Sequence, residues 1–414
     1  MSGFKSLPRN ARVCIAVEPL WAFFGPLVTY YMPLFQKSLG LTEVQMGLVN
    51  SANIAAGLFF YTLAAPLTNK LGRRWTSMIF DFAAWTLAMI LWALSRNFAW
   101  FLVAAISNAV VRIVIVSWNL LISEDASDSQ RSTIFGWINV IGTFGGFTTF
   151  AGGLVIARIG VEPAMRAIFW IGALAMTVMF LARFFGTRET AVGLVLIEKT
   201  RKESLFRLVA AQLPKAGHAL REPFFLRMSG IYFIANAVLS IDFFRVLYLT
   251  EAKALSPFIV SAVPALSAVA GMIVFFVILP RQKKIGATSH LANSFLLCMG
   301  AQAAFILMPK NSPLSALLIF PTLQASYALL STFRDTVFMN GTAEGHRSER
   351  FSLIQALMLL FSIPMGWFAG LLYTISPHAP FALAVALYGI GYLLVRSLSP
   401  ADREHYTEAQ KEKA

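Results

Sequence analysis

The sequence predicts an all-α polytopic membrane protein of twelve transmembrane helices, built as two six-helix pseudo-repeats. Three observations predict it. Residues 351–395 contain no Asp, Glu, Lys or Arg, and other charge-poor stretches recur between short, mostly basic connections. A helix needs about 20 apolar residues to cross a bilayer, and it satisfies its own backbone hydrogen bonds there, which a loop cannot. The composition agrees: 57% of the 414 residues are hydrophobic and 13% charged, with a mean hydropathy of +0.67. A soluble domain carries about 25% charged residues. The chain also repeats itself. Leu41–Gly72 aligns without gaps with Leu255–Gly286, so that Val49, Ala56, Gly57, Pro66, Lys70 and Gly72 meet Val263, Ala270, Gly271, Pro280, Lys284 and Gly286. Internal duplication is how many secondary transporters are built.

The elements follow in order. Spans are predicted over about 11–35, 44–68, 76–95, 98–121, 132–157, 165–185, 225–250, 257–280, 287–308, 313–338, 351–375 and 379–398, each close to a crossing length. Ser376-Pro-His-Ala-Pro380 splits the longest apolar run into the last two. The predicted organisation is a bundle at 1–185, a linker at 186–222, a second bundle at 223–398 and a tail at 399–414. Within the linker, Leu205, Phe206, Leu208, Val209 and Leu213 alternate with Lys199, Arg201, Lys202, Arg207 and Lys215, the pattern of an amphipathic helix on a membrane surface.

The net charge of +14 could suggest nucleic acid, but its placement argues otherwise. With the N-terminus inside, six of the 34 Lys and Arg fall outside (Lys37, Arg96, Arg158, Arg166, Lys253 and Lys310), three lie within spans, and the other 25 are cytoplasmic. This is the positive-inside asymmetry, so the basic balance reports orientation. Cys14 and Cys298 lie in apolar spans and read as small buried hydrophobes. The polar stretch Met1 to Arg12 lacks a signal-peptide core and is expected to be retained.

Between spans two and three lies Ala65-Pro-Leu-Thr-Asn-Lys-Leu-Gly-Arg-Arg74. It resembles the signature loop of the major facilitator superfamily, G-x-L-x-D-R-x-G-R-R. Leu67, Lys70, Gly72, Arg73 and Arg74 match, while Ala65 replaces the first Gly and Asn69 the acid. The resemblance implies alternating access, with this loop acting as a charged latch that here lacks its usual anion. A degenerate second copy keeps Pro280, Arg281, Lys283, Lys284 and Gly286. Asp125 and Arg131 after span four correspond to Glu344 and Arg350 after span ten, as latch pairs or as ordinary loop charges. Span five carries Gly142, Gly145, Gly146, Gly152 and Gly153, but Thr148-Thr149 stands where the family's antiporter motif has Gly-Pro; close helix packing explains these glycines equally well.

Ionisable groups inside spans cost about 2.5–3.5 kcal/mol each on insertion scales, so each needs a reason. Arg112 lies near the middle of span four, with Asn108 and Asn119 on its face. A guanidinium can grip a carboxylate or phosphate through two hydrogen bonds. The resemblance implies that spans one, four, seven and ten line a central cavity, so Arg112, Asn108 and Asn119 are substrate candidates, with Trp21 of span one and Gln324 and Tyr327 of span ten. Glu18 in span one is the leading proton-coupling candidate, the other reading being a fixed salt bridge such as one to Arg112. Pro19, Pro26 and Pro33 are expected to kink that helix. Asp242 is a second coupling candidate, or a partner of Arg245 one turn on. Arg334 and Asp335 are adjacent, point about 100° apart and are expected to serve different partners. Both read as gating residues, together with Asn69, Lys70, Gly72, Arg73, Arg74, Asp125, Arg131, Glu344 and Arg350, while Asp81 is assigned to the loop latch.

The predicted function is a proton-coupled secondary active transporter of a small organic solute. The runner-up is a lipid or amphiphile flippase of the same fold, for which 36 phenylalanines and several apolar spans leave room. No phosphate-cradling G-x-x-x-x-G-K-[ST] loop is present, which argues against an ATP-driven pump, and no H-E-x-x-H or nucleophile cluster points to an enzyme. The expected partners are a small-molecule substrate, protons and membrane lipid, with no nucleic acid, metal or cofactor. The chain is expected to be a monomer in a bacterial inner membrane, both termini cytoplasmic.

Overall fold

The computed structural model describes residues 4–210, 222–281, 286–342 and 347–398. Glu344, Lys283 and Lys284, and Leu213 and Lys215 of the linker, lie outside these described residues. Twelve helices among them are long and apolar enough to cross a membrane. Spans 1 to 6 are Arg9–Ser38, Glu43–Leu71, Arg73–Leu94, Phe98–Ser123, Thr133–Ile159 and Val161–Gly186. Spans 7 to 12 are Pro223–Asp242, Pro257–Ile278, Ala287–Leu307, Pro313–Asn340, Leu353–Ile375 and Ala379–Arg396. The chain is an all-α polytopic membrane protein.

Local chemistry sets the helix ends. Thr42 and Gln45 form a capping box that opens span 2, and Asn97 and Ser256 cap spans 4 and 8 through their side chains. Gly72 and Gly160, both at φ +87°, make the tight joints from span 2 to 3 and from span 5 to 6. Span 1 stays helical through Pro19, Pro26 and Pro33.

The chain divides into two compact units, Met1–Pro214 and Lys215–Ala414. In the first, span 1 packs between spans 5 and 6, span 2 lies on span 4, and span 3 meets spans 4 and 6. The linker helix Ala191–Thr200 packs against span 2, so linker residues 186–210 belong to this unit. In the second, span 7 packs between spans 11 and 12, span 8 lies on span 10, and span 9 meets spans 10 and 12. Adding six to each span number turns one neighbour pattern into the other, which is the duplication seen in three dimensions.

The third helix of each unit is closed by a cation. Arg166 donates to the carbonyls of Ala93 and Ser95 at the end of span 3, and buried Lys253 donates to those of Ile306 and Met308 at the end of span 9. Spans 1 and 5 share a close seam. A Cβ built on Gly145 would lie 2.5 Å from the Ala22 carbonyl oxygen, and one on Gly152 would lie 2.9 Å from a Leu27 methyl. Absence of side chains there lets the two backbones approach.

Candidate functional site

The signature loop is held by carboxylates from elsewhere in its own unit. Gly72 has φ +87° and ψ 162°, a conformation only glycine adopts readily, and it turns the chain so that the first amides of span 3 face Glu189. The Glu189 carboxylate accepts from the backbone N–H groups of Arg73 (2.9 Å) and Arg74 (3.0 Å), satisfying donors that a helix start leaves open. Arg73 is 2% exposed and forks onto Glu124, Nε to Oε2 at 2.9 Å and Nη2 to Oε1 at 2.8 Å. Thr190 also donates to Glu124. Asn69 accepts weakly from Arg73 Nη1 at 3.3 Å, and Lys70 donates to the Glu203 carbonyl. Arg74 donates to the Phe184 carbonyl and lies over the Phe184 ring at 4.0 Å. The latch candidates Asn69, Lys70, Gly72, Arg73 and Arg74 thus share one cluster, and its anions are Glu124 and Glu189, which the sequence reading missed. Asp125 instead accepts the Ala191 amide, and Arg131 donates to the Ser123 carbonyl.

One level deeper, three spans bring three buried charges together. Arg183 of span 6 (5% exposed) places Nη1 2.7 Å from Oδ2 of Asp81 in span 3 and Nη2 3.3 Å from Oε2 of Glu18 in span 1. Asp81 and Glu18 are 3% and 7% exposed. The partner of Glu18 is Arg183, not the suggested Arg112, and Asp81 meets the same guanidinium. The physical reason is reach: Arg183 sits near the end of span 6, and its long side chain carries the charge inward past Phe180 and Trp118, whose rings lie 5.6 Å and 5.8 Å from its Cζ.

Above the triad, Trp21 and Trp85 meet edge to face with centroids 5.9 Å apart. Directly after Asp81 the backbone takes up a wide π turn, Phe82–Leu87, which carries Trp85. Span 4 satisfies carbonyls of this turn: Ser107 Oγ donates to Ala83 (2.6 Å) and Asn108 Nδ2 to Ala84 (3.0 Å). Asn53 of span 2 in turn donates to the Asn108 side chain at 3.4 Å and to the Ala105 carbonyl at 2.8 Å. Span 4 then breaks at Val110, two residues before Arg112. Arg112 is half-buried and lies across Gly57 of span 2, whose missing side chain makes the room: a Cβ there would be 3.3 Å from the Arg112 stem. Tyr61 lies within electrostatic reach. Arg112 has no hydrogen-bond or ion-pair partner among the described residues, whereas Arg73 and Arg183 each engage carboxylates. Asn119 turns back to the Ile115 carbonyl of its own helix.

In the second unit, Asp242 pairs with Arg245 where span 7 ends in a turn at Phe243 and Phe244. Gln324 faces Gly271 of span 8, and Tyr327 lies within electrostatic reach of Arg334 and Asp242. The expectation that Arg334 and Asp335 serve different partners is overturned. Arg334 Nη2 and Nε both reach Asp335 Oδ1 at 2.9 Å, its guanidinium covers the Tyr232 ring at 4.2 Å, and Tyr232 donates to the same carboxylate oxygen at 2.7 Å. Backbone directions 100° apart do not prevent this, because a long arginine stem can curl back. Arg350 pairs with Glu222 at the start of span 7.

Comparison with known proteins places this architecture. The family model described as Major Facilitator Superfamily matches residues 20–344. Among curated proteins, none matches the chain in sequence. Among solved structures, the human organic anion transporter TETRAN is 17% identical, with a TM-score of 0.63 over 93% of this chain and 99% of that one. The nucleoside transporter NupG is 14% identical, with a TM-score of 0.68 over 96% and 98% of the two chains. The xylose transporter XylE from E. coli, in an inward open conformation, is 13% identical, with a TM-score of 0.70 over 94% and 96%. These similarities are of fold, whereas the family match spans most of the chain: this protein belongs to the major facilitator superfamily and is a membrane transporter, not an enzyme.

Proposed function

We propose that the chain is a secondary active transporter that carries a small organic anion by alternating access, driven by a proton gradient. The observation that carries this reading is Arg112. A guanidinium kept half-buried in a membrane helix without a partner among the described residues is costly, and an anionic substrate group would supply the missing partner. Tyr61 within electrostatic reach of Arg112 and the Trp21–Trp85 pair bring aromatic faces to this unit, and Asn53 ties span 2 to span 4. That a fold relative is an organic anion transporter accords with the choice of charge. On this reading Glu18 carries the coupling proton, and Gln324 and Tyr327 are substrate candidates within the second unit. Asp242, paired with Arg245, is the weaker coupling candidate. The signature-loop cluster, Arg334 with Asp335, and Arg350 serve gating. The orientation proposed from the basic asymmetry puts both termini in the cytoplasm of a bacterial cell.

The test is a thermal-stability screen of the purified protein and of Arg112→Gln, with succinate, inorganic phosphate, glucose, choline and phosphatidylglycerol micelles as probes. A ligand that binds only the folded state raises the melting temperature by mass action. The expected result is stabilisation of the wild type by an anion and its loss in the variant. Equal stabilisation of both by the anion removes Arg112 from the site, and stabilisation of both by lipid alone replaces this reading with lipid handling.

A further inference from the structure

We infer that Glu18 and Asp81 form one proton site, in which a single exchangeable proton is shared between two carboxylates held on Arg183. The inference deepens the proposed proton coupling and rests on it for its use in transport; the site itself exists or fails independently of any substrate. It assigns Asp81 to proton handling rather than to the loop latch, and gives Arg183 a positioning role.

Charge balance at a buried site fixes the number of protons. All three side chains are more than nine-tenths buried, and each carboxylate meets a different nitrogen of the same guanidinium. One cation balances one anion. With both carboxylates ionised the cluster holds an unbalanced negative charge, which burial penalises; with one proton on the pair the cluster is neutral. The groups packed around it do not change the count. Cys14 on span 1 is a buried free cysteine, Trp118 of span 4 and Phe180 of span 6 are uncharged, and Ser77 of span 3 is engaged with Ser117. Arg74, the other cation nearby, is only half-buried and donates to the Phe184 carbonyl.

Two further observations give the proton a way in. A small cavity lined by Arg74, Ser77, Asp81, Arg183 and Thr187 reaches from the signature loop to the triad, with room for about one water molecule. Arg183, which lines this cavity, keeps its Nε as a buried donor with no partner among the described residues. A water there would accept from Nε and exchange a proton with the Asp81 carboxylate; only O–H bonds form and break. Protonation of either acid loosens its hold on Arg183, and each acid lies one helical turn from a ring of the Trp21–Trp85 pair. The load state is thereby felt on the side of the unit that holds Arg112.

The experiment is a pH titration of the full-length protein in lipid, followed by infrared difference spectroscopy of the protonated-carboxyl stretch, for wild type, Glu18→Gln and Asp81→Asn. The wild type is expected to show one buried protonated carboxyl whose band is lost as the pH is raised. Each single variant leaves Arg183 facing one carboxylate, a balanced pair, so each is expected to lose the band while keeping a cooperative melt. Absence of the band in the wild type, or its survival in either variant, overturns the shared site. In Arg183→Gln the cation is gone, and the band is expected to double; an unchanged band also overturns the proposal. None of these readings uses a substrate, so failure of anions to stabilise the wild type would strike the proposed substrate and leave this result standing.

Discussion

Trp21 and Trp85 touch edge to face, and each stands one helical turn from one of the two carboxylates that share Arg183. Trp21 follows Glu18 by three residues on span 1, and Trp85 follows Asp81 by four on span 3. The ring contact therefore bridges the two helices that carry the carboxylates. Edge-to-face pairs contribute about 0.5–1.5 kcal/mol beyond area burial. A double-mutant cycle on Trp21→Ala and Trp85→Ala, read by unfolding in mild detergent, should return a coupling of that size. Strict additivity would show that the rings do not support each other.

Arg73 is expected to be the most sensitive position of the signature loop. Its fork onto Glu124 is almost fully buried, and Arg73→Gln leaves that carboxylate without its cation. Breaking one side of such a pair costs about 3–5 kcal/mol. Arg73→Lys keeps the charge but loses the paired donors, and should recover only part of the loss. Melting temperatures of the two variants, with Arg74→Gln as a more exposed comparison, check the order.

Gly72→Ala should destabilise the first unit by about 1–3 kcal/mol through backbone strain alone. A methyl group there would also stand 2.5 Å from Glu189 Oε2 and push away the acceptor that caps span 3. Gly40 makes a useful control. It too has positive φ, +80°, but a methyl group on it meets nothing within 4 Å among the described residues, so Gly40→Ala should cost strain and nothing more. Equal losses at both positions would remove the Glu189 cap from the account.

Asn108→Ala and Asn119→Ala should separate cleanly. Asn108 ties the carbonyl of Ala84 in the π turn of span 3 to span 4, while Asn119 bonds its own helix. Hydrogen bonds between membrane helices average about 0.6 kcal/mol and reach about 1.7. Asn108→Ala should fall in that range and Asn119→Ala near zero, measured by unfolding in detergent. Weakened anion binding in Asn119→Ala with unchanged stability would support its place near Arg112.

The spans were legible because crossing a bilayer imposes length and charge rules on the sequence itself. The repeat was legible from Gly57, Pro66 and Gly72 meeting Gly271, Pro280 and Gly286, since tight packing and turns tolerate few substitutes. Ion pairs were legible only where spacing decides them, as for Asp242 with Arg245. Arg183 escaped notice because it lies three residues before the end of span 6, where a charge ordinarily faces water. Its signal was relative depth: Glu18 and Asp81 both lie about two turns inside spans that start at the same end of the unit. Arg334 misled for the opposite reason, since neighbours in sequence were judged by backbone direction and not by side-chain length. The anions of the signature loop, Glu124 and Glu189, sit outside the motif itself, and only the folded chain brings them to it.

The seam between spans 1 and 5 constrains how this sequence can drift. At Gly145 the obstacle to a side chain includes the Ala22 carbonyl oxygen, part of the main chain, and no substitution on span 1 can remove it. At Gly152 the obstacle is the Leu27 side chain, with Tyr31 beyond it. Position 145 is therefore frozen, while 152 is negotiable: it can grow by a methyl group once position 27 has shrunk. Two glycines seven residues apart on one face thus carry different evolutionary freedom, one fixed outright and the other tied to a partner that must change first.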